Sequence, residues 1–413
     1  MKRREFLKLA GALSVAGCAG MAPSKARVVV VGGGFGGATA AKYLRMWDPS
    51  IDVVLVERNS AFVSCPISNL VLGGFTGMQD ISRGYDGLRR RGVSVVHDEV
   101  IAIDAARKTL RLARGGDMAY ERLIVSPGID FMLDDVQGYD AAMRSGAVLH
   151  AWKAGPQTVA LRQKLQAMRD GSVYLLSIPL APYRCPPGPY ERVSMVAAYF
   201  KQAKPRSKVL VLDANPDVTS KGPLFKRAWS ELYPGIIEYR GNARVVAVSA
   251  GSVRTEFDTV QADVLNVVPP HRAGDIAAKA GLITTNNRWC DVDWRTMESK
   301  AVKGVHVLGD ATLSAPAMPK SASMANNHAK IAAAAIVELL HGRSPAAPKI
   351  LNTCYSFVSE KEAIRVSSVH EWEPGQGALL PVKGAGGVSA ARSEAEGTYA
   401  WNWARTIWAD SLA

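Results

Sequence analysis

"RVVVVGGGFGGATAAKYLRMWDPSIDVVLVE", residues 27–57, decides how this chain begins to fold. The valine run from Val28 reads as a strand buried on both faces, as in a parallel sheet. A GxGxxG turn follows at Gly32, Gly34 and Gly37, then a helix of small residues, then a second apolar strand ending in Glu57. Glycine at the first position allows the tight turn, at the second a close approach of backbone to a pyrophosphate, and at the third close packing of helix on strand. The free N–H groups of the helix start would face phosphate. Glu57 stands where an acid takes the hydroxyls of an adenosine ribose, with Arg58 beside it. The glycine pattern alone would not decide the matter, but strand, helix and acid complete a dinucleotide site.

Two later segments favour FAD over NAD. "YERLIVSPGI" (120–129) is an apolar strand closed by a Pro-Gly turn at Gly128. "KGVHVLGDATLSAPAMPKSASMANNHAKIAAAAIVELL" (303–340) gives a strand ending at Gly309 and Asp310, a loop, and an Ala-rich helix. The Asp310 carboxylate would accept a hydrogen bond from a ribityl chain. The helix start near Ser321 to Ala325 would place positive dipole against the pyrimidine side of a flavin.

Between these segments, "GSVYLLSIPL" (171–180), "YERVSMVAAYFKQA" (190–203) and "SKVLVLDANPD" (207–217) form a second strand–helix–strand unit. Its connecting loop carries Pro182, Pro186, Pro187 and Pro189 where a glycine turn would bind a second nucleotide. Proline removes N–H donors that a pyrophosphate needs. A nicotinamide nucleotide is therefore disfavoured there, and Cys185 occupies the place.

The chain of 413 residues suits two or three domains, and its 48% apolar and 21% charged residues are those of a globular protein. Its formal net charge of +13 favours anionic substrates or an acidic partner. The basic residues are scattered and no nucleic-acid-binding signature appears. The opening "MKRREFLKLAGALSVAGCAG" joins a basic head to an apolar stretch too short for a bilayer span, and "RREFLK" matches the twin-arginine export pattern. Val15 to Cys18 resembles a lipobox, so Cys18 is a candidate lipid anchor. The expectation is a periplasmic protein with no integral membrane span, since no later run of about 18 apolar residues occurs. Cys65, Cys185, Cys290 and Cys354 show no zinc-ligand spacing and no metal is expected. By itself Cys65 reads as a small buried hydrophobe. Cys185 and Cys354 are open to a structural staple, two separate buried thiols, or a redox pair.

The run "RCPPGPYERVS" (184–194), together with "GYDGLRRRGVSVVHD" (84–98), "HAWKAGPQT" (150–158), "PPHRAGDIAAKAGL" (269–282), "HVLGDA" (306–311), "MPKSASMANN" (318–327) and "LNTCYSFV" (351–358), closely resembles the flavoprotein subunit of flavocytochrome c sulfide dehydrogenase. The resemblance extends from about Arg27 to the C-terminus. It implies an α/β fold with two Rossmann-type, dinucleotide-binding-like domains of the glutathione reductase type and a small α+β C-terminal domain. It implies a redox-active disulfide between Cys185 and Cys354 over the flavin, Glu191 as proton acceptor, a thioether from Cys65 to FAD, and Trp403 near the ring. Pro66 departs from the bulkier residue usual in the family next to the tether. Lys320 and Arg184 become candidate positive groups near the thiols, while Cys290 reads as structural.

The implied activity is oxidation of sulfide, or a related reduced sulfur species, through the disulfide to FAD, with electrons passing to a cytochrome c subunit or soluble cytochrome c. The sequence holds no CxxCH, so haem would come from another chain. Alternatives are a sulfide:quinone reductase, disfavoured by "RCPPGPYE" and by the charged tail "YAWNWARTIWADSLA" (399–413); an NAD(P)H-dependent flavin reductase, disfavoured by the prolines; and a non-catalytic partner of a sulfur-oxidising complex. The expected division is a leader (1–24), an FAD domain in two parts (25–148 and 301–346), an inserted nucleotide-binding-like domain (149–300) and a C-terminal domain (347–413).

Overall fold

The computed structural model describes residues 26–314 and 318–413. The leader, its twin-arginine pattern and Cys18 lie outside the described residues. The valine run forms strand Arg27–Val31, at the centre of a seven-stranded sheet, between Asp52–Val56 and Arg122–Val125. Ser94–Val96 and Val305–Val307 extend it, all these strands running parallel. Val28, Val29 and Val30 are fully buried, which a continuous apolar strand needs when layers cover both faces. Helices Phe35–Trp47 and Ala322–Leu340 pack together against this sheet.

A five-stranded parallel sheet forms the core of the inserted unit, in the order Val148–Leu149, Val264–Val267, Val173–Ile178, Lys208–Asp213, Ile237–Arg240. Helix Gly188–Ala203 connects Val173–Ile178 to Lys208–Asp213, so the second strand–helix–strand unit forms as the sequence indicates. The chain leaves the first domain along Ile129–Phe131 and returns along His271–Ala273, and these two segments pair antiparallel. The return therefore precedes the expected boundary at 301. Val292–Asp293 and Glu298–Ser299, assigned from sequence to the inserted unit, add antiparallel to one side of the seven-stranded sheet, with Val292–Asp293 at its edge. At two residues each they are too short to carry a readable alternation.

The C-terminal part is an antiparallel sheet of Lys349–Phe357, Ala363–Glu373 and Ala378–Val388, followed by helix Glu394–Leu412. That helix packs onto Phe35–Trp47 of the first domain. Tyr43 donates to Asp410 at 2.6 Å and Thr39 to Ser411 at 2.9 Å. The aromatic tail is thus largely packing surface, with Trp408 buried and Trp403 half-buried. No helix of the described residues is long and apolar enough to cross a membrane.

Candidate active site

One cavity of about 590 Å³ runs from the glycine turn to the C-terminal sheet and draws on all three parts of the chain. Its size is that of an ordinary cofactor site. At one end the glycine turn is fixed by sterics. Gly32 sits at φ +94°, and a Cβ on Gly37 would lie 1.8 Å from the Gly32 carbonyl oxygen. Gly34 faces open space, and no side chain caps the helix it begins. Glu57 lines the same end, accepting from the Gly33 N–H at 2.7 Å and the Asn59 amide at 2.6 Å. Arg58 also lines it, with its guanidinium 3.5 Å from Glu99.

Farther along, Gly128 borders the cavity in a left-handed conformation with nothing near its missing Cβ. Asp310 also borders it, and its buried Oδ1 has no hydrogen-bond partner. Burial raises the Asp310 pKa above the ordinary carboxylate range. An orphaned buried acceptor beside a glycine-lined cradle fits a polyhydroxylated chain such as ribityl. Ser321 caps helix Ala322–Leu340 by accepting from the Met324 N–H at 3.1 Å, which places the helix start at the cavity wall.

Cys65, Cys185 and Cys354 all line this cavity, although they come from three separate segments. The described cysteines are free thiols in the structure. Cys185 has φ +59°, an uncommon conformation for a residue with a side chain, at the turn before helix Gly188–Ala203. Burial pushes its thiol pKa far up, and the negative charges of Cys354 and Glu191 add to the rise. Trp403 lines the cavity beside Tyr355, with ring centroids 6.2 Å apart. The Cys65 sulfur lies 4.0 Å from the Trp152 carbonyl oxygen. Cys290 is buried away from the cavity, its thiol pushed up to about 12 by burial.

Glu191 lies in the first turn of helix Gly188–Ala203 and is buried. One carboxylate oxygen accepts from the Phe357 N–H at 2.8 Å and the other from the Asn69 amide at 2.7 Å. Burial raises its pKa, which these bonds partly offset. Asn69 passes the contact on, since its carbonyl oxygen accepts from Arg192 at 3.1 Å. Arg192 also lies over the Trp152 ring at 4.8 Å.

Lys320 is not where a charge for the thiols was expected. Its amine donates to the Asp310 carbonyl at 3.1 Å and to the Thr312 carbonyl, and lies 3.6 Å from the Trp289 ring centre. Burial lowers its pKa to about 7. Its charge therefore sits behind Asp310. Arg184 does reach the cavity, where it donates to the Trp152 carbonyl and offsets part of the rise in the Cys185 pKa. The cation beside Cys354 is Lys221, which sequence reasoning missed because "TSKGPLF" reads as an ordinary basic loop before a helix.

Asp213, at the end of strand Lys208–Asp213, holds the place of a ribose-binding acid in the inserted unit. It is fully buried, and its Oδ2 accepts from Tyr190 at 2.8 Å and Tyr239 at 2.9 Å. Tyr190 comes from the loop and helix that follow Cys185, so the chain itself occupies the acid.

Three family models match parts of the chain. "Pyridine nucleotide-disulphide oxidoreductase" matches residues 26–165, "Sulfide dehydrogenase [flavocytochrome c] flavoprotein chain, central" residues 158–269, and "Flavocytochrome c sulphide dehydrogenase, flavin-binding" residues 346–412. The sulfide dehydrogenase [flavocytochrome c] flavoprotein chain of Chlorobaculum thiosulfatiphilum is 73% identical over 45 residues, 11% of this chain and 94% of that sequence. The chain belongs to the flavocytochrome c sulfide dehydrogenase flavoprotein family.

Members of this family carry a flavin-binding domain, and the cavity with its glycine turn, Glu57 and unpaired Asp310 fits FAD. The mitochondrial sulfide:quinone oxidoreductase of Dictyostelium discoideum is 24% identical over 300 residues, 69% of this chain and 65% of that protein. The mouse enzyme is 25% identical over 309 residues, with the same shares. The chain thus spans about two thirds of those relatives' length. The solved sulfide:quinone oxidoreductase of Aquifex aeolicus superposes with a TM-score of 0.76 at 17% identity, over 94% of this chain and 91% of that one, which shows a shared fold.

Proposed function

We propose that this chain oxidises sulfide, or a closely related reduced sulfur species, through a Cys185–Cys354 disulfide and bound FAD, with a cytochrome c subunit or soluble cytochrome c as electron acceptor. The observation that supports this reading is that Cys185 and Cys354, from different domains, both line the cavity that holds the glycine turn and Asp310. Such a pair can be opened by a hydrosulfide anion, leaving a persulfide on one sulfur and a thiolate on the other. Glu191 touches the strand of Cys354 and belongs to the helix after Cys185, and its raised pKa suits it to take a proton in the site. Arg184 and the overall positive charge favour entry of an anion. FAD, when bound, supplies a two-electron acceptor able to pass electrons on singly. Cys65 is proposed as its thioether anchor. Export to the periplasm, with or without a lipid on Cys18, belongs to the same proposal.

Similarity to sulfide:quinone oxidoreductases supports a second reading, in which quinone is the acceptor. Against it, the C-terminal helix spends Ala400, Ala404, Ile407 and Trp408 on internal packing rather than on an apolar outer face. The test is sulfide oxidation by the FAD-loaded protein with cytochrome c or a soluble quinone as sole acceptor. Faster turnover with cytochrome c supports the proposal, and turnover with quinone alone overturns its acceptor.

A further inference from the structure

Lys221 precedes helix Gly222–Leu232 in a left-handed conformation, at φ 58°, which turns its side chain inward. The amine donates to the Ser356 hydroxyl at 2.9 Å, the Cys354 carbonyl at 3.3 Å and the Ile364 carbonyl at 3.4 Å. All three partners are neutral oxygens, so an ammonium taken out of water here has no carboxylate bonded to it. A buried charge in that situation is stabilised by an anion forming nearby. Burial lowers its pKa to about 8, and the negative charges of Cys354, Glu191, Cys185 and Glu396 hold it up against that fall.

The surroundings of the two sulfurs are unequal. Cys354 has the Lys221 amine at its own carbonyl and at the hydroxyl of Ser356, two residues along the same strand, and that charge lowers the Cys354 pKa against the rise that burial causes. Cys185 faces Glu191, Cys65 and Cys354 itself, with Arg184 as the opposing cation. In thiol–disulfide exchange the sulfur better stabilised as thiolate is the better leaving group.

We propose that Lys221 makes Cys354 the leaving thiolate when the Cys185–Cys354 disulfide opens, so that the incoming sulfur nucleophile bonds to Cys185. With hydrosulfide, a bond forms between its sulfur and Cys185 Sγ as the Cys185–Cys354 bond breaks. The electron pair of the broken bond stays on Cys354, the hydrosulfide proton stays on the terminal sulfur of the Cys185 persulfide, and the incoming sulfur is oxidised as the Cys354 sulfur is reduced. Lys221 acts as a positioning residue through Cys354. The inference rests on the sulfide reading for the identity of the nucleophile, whereas the polarity of the pair is a property of the protein alone.

The test uses the full FAD-loaded chain, with its thiols reduced, alkylated by iodoacetamide between about pH 5 and pH 10 and read at each cysteine by peptide mass. Cys354 reacts at lower pH than Cys185. Lys221→Met raises the Cys354 midpoint by about one pH unit, a tenfold loss of thiolate, and Lys221→Arg keeps most of the native value. If Lys221→Met does not fold, Lys221→Gln gives a rise of the same sign. Cys185 reacting first, or a Cys354 midpoint that neither Lys221→Met nor Lys221→Gln moves, overturns the proposal. In the second arm, oxidised protein receives hydrosulfide and the persulfide is trapped and located. Persulfide on Cys185 supports the assignment and persulfide on Cys354 overturns it. Persulfide on neither, with the alkylation order intact, supports the assigned polarity and refutes sulfide as the nucleophile.

Discussion

The carboxylate of Glu191 accepts the backbone N–H of Phe357 at 2.8 Å, fastening the helix that follows Cys185 to the strand that carries Cys354. The same side chain holds Asn69 at 2.7 Å, four residues beyond Cys65. One buried residue therefore ties together the segments of all three cavity cysteines. Glu191→Ala leaves the Phe357 N–H and the Asn69 amide without this partner, and is expected to lower stability by about 2 kcal/mol. Glu191→Gln retains the Phe357 bond and should lose less. Urea unfolding of the two variants beside the parent chain checks the order.

The unpaired Oδ1 of Asp310 gives a prediction for cofactor affinity. Asp310→Ala removes the acceptor proposed for the ribityl chain, and FAD retention after gel filtration is expected to fall about tenfold or more, as for loss of a charged hydrogen bond. Absorbance of the eluted protein measures it.

Occupation of Asp213 by Tyr190 and Tyr239 predicts that neither NADH nor NADPH bleaches the flavin. Tyr190→Phe is expected to destabilise the inserted domain by about 1 kcal/mol without creating a nicotinamide response, because the prolines after Ala181 still withhold the N–H donors. Anaerobic absorbance spectra with each nucleotide decide this.

Lys320 supplies a pH dependence with a definite sign. Its pKa falls from 10.5 in the open chain to about 7 when buried, so between those values the unfolded chain binds the extra proton. Its contribution to stability is present above pH 10.5 and is lost as pH falls through about 7. The difference in stability between the parent chain and Lys320→Met should therefore move in favour of the parent as pH is raised from about 7 to about 9. Denaturant midpoints of the FAD-free proteins at the two pH values measure it.

The legible parts of this molecule were those written in contiguous sequence. Val28 to Val31, the spacing of Gly32, Gly34 and Gly37, and the acid at 57 specify strand, turn and helix through local sterics, and the structure forms them as read. Cys185, Cys354, Glu191 and Asp310 were found because each sits in a distinctive run. Lys221 and Asn69 were not, since their roles depend on partners far along the chain: Ser356 for one and Glu191 for the other. Lys320, a candidate charge near the thiols from the family resemblance, has its amine over the Trp289 ring, a partner 31 residues away that the run around it does not announce. The strands at 292–293 and 298–299 gain their place from the neighbours they pair with, which no short apolar run announces.

Trp408 offers a test of the Cys65 anchor. Its indole N–H donates to the Ser64 hydroxyl at 2.9 Å, holding the residue before Cys65 against the C-terminal helix. In Cys65→Ser, FAD should be fully released by acid precipitation. In Trp408→Phe, the covalently bound fraction should fall while non-covalent FAD remains. The mass of the denatured chain separates these outcomes.

The most direct measurement is anaerobic rapid mixing of the FAD-loaded protein with hydrosulfide, following flavin absorbance in the parent chain and in Cys185→Ser and Cys354→Ser. The account predicts rapid bleaching in the parent and at least a hundredfold slower bleaching, of the order expected for loss of a covalent route, in each variant. Bleaching at the parental rate in either serine variant would contradict it.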